Sequence, residues 1–276
     1  MIRRRVLARQ LKLLRDQSGL TLEQAAPKLD FSVSKLSRIE NAQQRVDTHG
    51  VRSMLDLYGV GGGQWAELIE LTRMAWQRGW WRAYGVGDNG YIGLEAAASL
   101  VRDFTVCYVP GLLQTADYAR AIFEASLVRR TSEQLENLVA VRMIRQRRLT
   151  SSDDPLELAA IIDESVLLRP VGGRSVMAAQ LDRLIDAAAL DTVTLQVLPM
   201  SVGAHPAMES VLTILSFGEL NEPDVAYVEH PMGPVHLHRE REVARATLVF
   251  DRLRSDALSP ADSVALIRRV REQQWT

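Results

Sequence analysis

Between residues 3 and 17, Leu7, Leu11 and Leu14 recur at helical spacing with basic residues between them, which predicts an amphipathic helix ended by Gly19. Thr21 is placed to cap a second helix over residues 22–29, with Glu23 and Gln24 in its first turn. Asp30 and Phe31 then turn the chain. Ser32 caps a third helix over residues 33–41, in which Leu36 and Ile39 point inward while Ser34, Lys35, Ser37 and Arg38 point outward. A fourth helical stretch near residues 50–58 offers Val51, Met54, Leu55 and Tyr58 to the same core. Residues 59–63 hold four glycines, and this punctuation sets the expected end of an all-α domain, residues 1–60.

Residues 61–93 read as a helical linker rich in glycine and tryptophan. Its helix covers residues 64–79, and Trp80, Trp81 and Tyr84 precede a turn at residues 85–90. Trp65, Trp76, Trp80, Trp81 and Tyr91 are expected to pack as an aromatic knot between the domains. From residue 94 the pattern is mixed. Helical stretches at 94–103, 114–126, 132–149 and 175–189 alternate with β-like runs at 158–163, 193–198 and 211–217. Runs at 225–229 and 234–238 flank a turn at 231–233, and helices over 240–254 and 260–273 finish the chain. The second domain, residues 94–276, is therefore expected to be a mixed α/β domain of the α+β type.

Charge sharpens this division. The 276 residues carry 33 Lys/Arg and 34 Asp/Glu, but residues 1–60 hold 11 basic against 6 acidic, leaving 22 against 28 for the remainder. A polyanion would be met by the first domain and repelled by the second. The single cysteine, Cys107, allows no internal disulfide and reads as a buried, inert thiol. No signal peptide or membrane span is legible, so a cytoplasmic protein without membrane contact is expected.

Two short helices joined by a tight turn, the second serine-capped and polar on its outer face, have the layout of a DNA-reading helix-turn-helix. Ala26 is small enough for the crossing point, and Leu36 and Ile39 anchor the second helix. The residues Gly19-Leu20-Thr21, Ala25-Ala26 and Ser32-Val33-Ser34-Lys35-Leu36-Ser37-Arg38-Ile39-Glu40-Asn41 resemble the helix-turn-helix of Cro/repressor-type (Xre) regulators. The resemblance implies that Arg15 and Glu40 form a partly buried structural ion pair. It also implies that Val33, Ser34 and Arg38 face bases of double-stranded DNA, and that Lys35, Ser37, Arg45, Arg3 and Arg4 touch phosphates. Arg38 is the expected guanine reader. Leu22 stands where the family has a phosphate-contacting glutamine, Pro27 lies inside the second helix, and Asp30 and Ala42 replace common glycines.

Val109-Pro110-Gly111-Leu112-Leu113-Gln114-Thr115, Asp117-Tyr118-Ala119-Arg120, Arg142…Arg145-Gln146 and Gln196-Val197-Leu198-Pro199 resemble a domain of unknown function. That domain follows Xre domains in actinomycete regulators, including the WhiJ-like developmental regulators. The resemblance implies a regulator, and often a small acidic partner protein encoded nearby. A homodimer is expected because one recognition helix offers little interface, with the second domain dimerising and sensing a small molecule or partner. Arg142, Arg145, Arg147 and Arg148 read as a solvated helix face.

Two other readings stay open. His236 and His238 would share one face of a strand, and with Glu229 or Glu240 they could hold the metal of a DNA-targeted enzyme. Solvated or core histidines are the plainer alternative, and no standard zinc spacing, catalytic signature or cofactor motif occurs. The third reading is a protein-interaction module paired with a small neighbouring-gene protein. On balance a non-enzymatic regulator without cofactor is expected.

Overall fold

The computed structural model describes residues 2–87, 90–208, 211–230 and 232–276. They form two compact units, Met1–Gly79 with Leu220–Glu222, and Trp80–Glu219 with Pro223–Thr276. The turns expected at residues 85–90 and 231–233 fall partly outside the described residues.

The first unit holds α1 (Ile2–Gln17), α2 (Leu22–Lys28), α3 (Val33–Glu40), α4 (Thr48–Leu57) and α5 (Gly62–Trp76). Leu7, Leu11 and Leu14 of α1 are buried with Ala26, Leu36, Ile39, Met54 and Leu55 in one core. Thr21 and Gln24 form a reciprocal capping box at α2, and the Ser32 hydroxyl accepts the Lys35 amide at α3. The helices end alike. Residues 19, 30, 42 and 59 take left-handed φ values of 71°, 53°, 58° and 74°. At each end the following amide bonds back five residues, as in Phe31 to Ala26 O (2.9 Å) and Gln43 to Arg38 O (2.8 Å). Asp30 and Ala42 thus occupy glycine conformations without being glycine.

The glycine-rich residues 59–63, expected to end the first domain, form a turn inside the unit. Beyond them α5 packs on α1 and α4 and adds Leu68, Ile69 and Ala75 to the core. Its apolar face needs a partner, and the four preceding helices supply one.

The second unit holds α6 (Tyr91–Glu95), β1 (Leu100–Thr105), α7 (Ala116–Glu124), α8 (Ser132–Gln146), β2 (Glu157–Asp163), α9 (Glu164–Leu168), α10 (Arg174–Ala187) and β3 (Val193–Leu198). β4 (Leu212–Phe217), β5 (Glu222–Val228), β6 (Val235–Leu237), α11 (Glu240–Asp256) and α12 (Pro260–Gln274) complete it. The sheet order is β3-β2-β1-β4-β5-β6. β1, β2 and β3 run parallel, β4 is antiparallel to β1, and β6 is antiparallel to β5. The helices α7 and α8 make the crossover from β1 to β2, and α9 and α10 the one from β2 to β3, an α+β arrangement. β1 through β4 are buried over most of their length, as strands covered on both faces must be.

Register assigns the faces. Phe104, Ile161 and Ile214 pack with Ala246, Phe250 and Leu253 of α11. Asp103, Ala160 and Thr213 are paired neighbours on the opposite face. Residues 94–103, expected to be helical, instead split into the end of α6 and the central strand β1. The alanine-rich start favours helix, while Arg102 and Asp103 disguise the strand: Arg102 pairs with Asp224 at 2.6 Å and Asp103 accepts the Thr213 hydroxyl at 2.9 Å.

The five aromatics expected as one knot belong to two units. Trp65 and Trp76 pack on the first unit's core. In the second unit Trp80 meets Trp81 and Tyr84 edge-on, and Tyr91 packs on Tyr227. Cys107 is exposed, because the strand ends two residues before it.

Candidate nucleic-acid interface

α3 is seated by Leu36 and Ile39, which are 0% and 2% exposed. The opposite side presents Val33, Ser34 and Arg38 to solvent, with Lys35 and Ser37 half-buried beside them. The Arg38 Nε donates to Gln44 Oε1 at 2.9 Å. That bond aims the guanidinium and leaves both its Nη groups without a hydrogen bond to the described residues, the end that suits the O6 and N7 acceptors of guanine. Gln44, in the turn after α3, carries no sequence signal for this role. It follows the left-handed Ala42, whose turn brings the chain back along the helix.

The other basic side chains are held by rings. The Lys35 ammonium lies 3.6 Å from the centre of the Phe31 ring. Arg4 and Arg45 both lie over Trp76, at 4.4 and 5.3 Å, and the Arg4 Nε also donates to Ala75 O at 3.0 Å. Arg3 is half-buried on α1. The Ser37 carbonyl accepts the Asn41 side-chain amide at 2.8 Å.

Arg15 and Glu40 form a two-pronged pair, Nε to Oε1 at 2.8 Å and Nη2 to Oε2 at 2.9 Å. Their side chains are 6% and 2% exposed. The Arg15 Nη1 also donates to Leu20 O and meets Asp16, both at 2.7 Å. One guanidinium thus ties α1 to the α1–α2 turn and to the end of α3. The nearby Tyr58 hydroxyl is pushed up by burial and by the Glu40 charge.

In the second unit the expected solvated arginine face is largely internal. The Arg145 Nε and Nη2 donate to both Glu95 oxygens at 2.6 Å, with side chains 10% and 4% exposed. Arg142 donates to Gln114 Oε1 at 2.6 Å and lies over Phe123 at 4.5 Å. Arg148 reaches the carbonyls of Glu95 and Ala98, both at 2.9 Å, and only Arg147 is fully exposed. Helical spacing reports a polar face without revealing that the fold covers it. Asp103 is pushed up to about 7 by burial, and Arg142 down to about 10 by burial and by neighbouring Arg145.

His236 and His238 stack with ring centres 6.2 Å apart, and His236 also packs edge-on against Tyr227. Burial lowers the His236 pKa. Glu229, a suggested third ligand, accepts the Tyr108 hydroxyl at 2.9 Å instead. Among the described residues no three His, Cys, Asp or Glu side chains converge as metal ligands. Among the same residues no helix is long and apolar enough to cross a membrane.

Two families match. Residues 6–68 match a helix-turn-helix domain, and residues 89–269 match a domain of unknown function, DUF5753. No curated protein and no solved structure matches the chain. With more than half its length inside the second match and a helix-turn-helix domain ahead of it, the chain belongs to the DUF5753 family.

Proposed function

We propose that this chain is a cytoplasmic, sequence-specific transcriptional regulator of the Xre type that binds duplex DNA through α3. The observation that carries the reading is the exposed polar face of a serine-capped helix, with Arg38 held through its Nε by Gln44 and both its Nη groups without a hydrogen bond to the described residues. In this reading Val33, Ser34 and Arg38 meet base edges. Lys35, Ser37, Arg45, Arg3 and Arg4 meet phosphates, assisted by the free amides of the first turn of α3. Arg15 and Glu40 act only by fixing the helices.

The recognition helix spans eight residues, so the protein binds as a dimer on a two-fold operator. The second unit dimerises and senses a small molecule. Its buried polar centre, with Arg142 contacted by no carboxylate among the described residues, supports this effector.

Selection of bound duplexes from a random pool, followed by affinities at several salt concentrations, tests the proposal. Arg38→Ala should cost about 1–3 kcal/mol on the selected site and relax one base preference. Lys35→Ala should weaken all duplexes alike and flatten the salt slope. Equal losses for Arg38→Ala on selected and random duplexes would remove its reading role. Wild-type protein that ignores duplexes at low salt would remove the function itself.

A further inference from the structure

Among the described residues no carboxylate hydrogen-bonds to Arg142 in the second unit's polar centre. The Arg142 Nη1 is tied to the neutral Gln114. Its Nε is buried and makes no hydrogen bond to the described residues. The surrounding carboxylates make their hydrogen bonds elsewhere: Glu95 with both prongs of Arg145, Glu229 with Tyr108, and Asp103 with Thr213. Glu229 and Glu95 act on Arg142 only through space. A buried guanidinium that no carboxylate meets directly is costly to keep, and such costs cluster at functional sites.

The group is held in place. Gln114 donates to Val109 O at 2.7 Å, and Gln146 donates to Gly111 O at 3.0 Å and Gln114 O at 2.8 Å. Phe123 supports the guanidinium from one side. A Cβ on Gly111 would lie 3.6 Å from Cζ and Nη1 of Arg142 and 3.7 Å from Nη2 of Arg145, so the loop backbone packs close against both cations. The residues that build this cradle are those of the Val109–Thr115 and Arg142–Gln146 stretches.

We propose that the Nε–Nη2 edge of Arg142 anchors a ligand site in the second unit, and that the site takes the carboxylate of a small organic molecule. A carboxylate is planar and fits one edge of the fork with two parallel hydrogen bonds. It brings one negative charge to a guanidinium that no carboxylate among the described residues contacts directly. A phosphate dianion would bring two into a neighbourhood that already holds Glu95 and Glu229. Phe123 and Tyr108 favour an aromatic or otherwise flat acid. The inference rests on the sensing role proposed above for this unit.

Calorimetric titration of the full chain tests the site with benzoate, the neutral isostere benzamide, and inorganic phosphate. Benzoate should bind saturably at one site per chain, and benzamide and phosphate at least about tenfold more weakly. Arg142→Lys keeps the charge needed for folding but loses the fork, and should weaken benzoate by at least about tenfold. Arg38→Ala should leave benzoate binding unchanged. The site is overturned if benzoate binds equally to Arg142→Lys, if benzamide or phosphate matches it, or if benzoate fails to bind a chain that still binds DNA. If benzoate binds through Arg142 and operator affinity is the same with and without it, the site stands and the sensing role falls.

Discussion

The Arg15–Glu40 pair permits a quantitative test, because its two halves fail differently. Removing one partner of a buried pair costs about 3–5 kcal/mol. Glu40→Gln keeps the shape and leaves Arg15 with the Leu20 carbonyl and the half-exposed Asp16, so its cost belongs at the low end, about 3 kcal/mol. Arg15→Met strands a carboxylate that is 2% exposed and has no other basic partner among the described residues. The stranded carboxylate escapes by taking up a proton, and that escape costs about 1.4 kcal/mol more for each unit of pH. The penalty of Arg15→Met should therefore shrink by up to about 2.7 kcal/mol between pH 7 and pH 5, whereas that of Glu40→Gln should stay constant. The pair Arg15→Met with Glu40→Leu should recover most of the loss.

Hydrogen exchange of the α3 amides in the full chain reads these changes for the first unit alone. A loss of about 3 kcal/mol corresponds to roughly a hundredfold faster exchange, after correction for the intrinsic pH dependence. Equal penalties for Arg15→Met at pH 5 and pH 7 would refute the argument. They would mean that the Glu40 carboxylate reaches water once its partner is gone.

Three further outcomes follow from the geometry. Ala42→Gly should stabilise the first unit by up to about 1 kcal/mol, since relief of the left-handed strain exceeds the added chain entropy; Asp30→Gly should gain less, as aspartate tolerates that region better. Slower exchange at Ile39 to Asn41 checks both. Gln44→Ala should widen base preference at the Arg38 position with a smaller affinity loss than Arg38→Ala, measured on the selected duplex. Asp103, raised in the folded state to about 7, contributes stability that is full below its unfolded value and is lost as pH rises through about 7. The second unit should therefore unfold more easily at pH 8 than at pH 5, by about 2.7 kcal/mol, and Asp103→Asn should flatten that dependence in urea titrations.

The first four helices were legible because of their apolar positions at helical spacing and, for α2 and α3, a capping side chain, signals local enough to survive without the fold. Asp30 and Ala42 were visible as departures from glycine, but only the backbone shows that they adopt the glycine conformation anyway. The extent of the first unit was less legible: the glycines at 59–63 punctuate, and nothing local says that α5 returns to the same core. In the second unit the strands with uninterrupted apolar runs were readable. β1 was not, since its Arg102 and Asp103 find partners more than a hundred residues away. The same reason hid the polar centre: a row of arginines on a helix looks solvated until the elements that cover it are placed.

How each unit holds its arginines bears on function more than how many it has. Around α3, Lys35 sits on Phe31, and Arg4 and Arg45 sit on Trp76. A ring fixes the direction of a cation without cancelling its charge, so these groups remain able to displace counterions from a phosphate backbone. In the second unit Arg102, Arg120, Arg145 and Arg148 each meet a carboxylate, which cancels the charge locally. Between these two groups of side chains the means of holding a cation differ as much as the charge balance along the chain does. Arg142 differs from Arg145 and Arg148 beside it. It is fixed as they are but no carboxylate among the described residues contacts it, and a small acid fits that position better than a strand of DNA does.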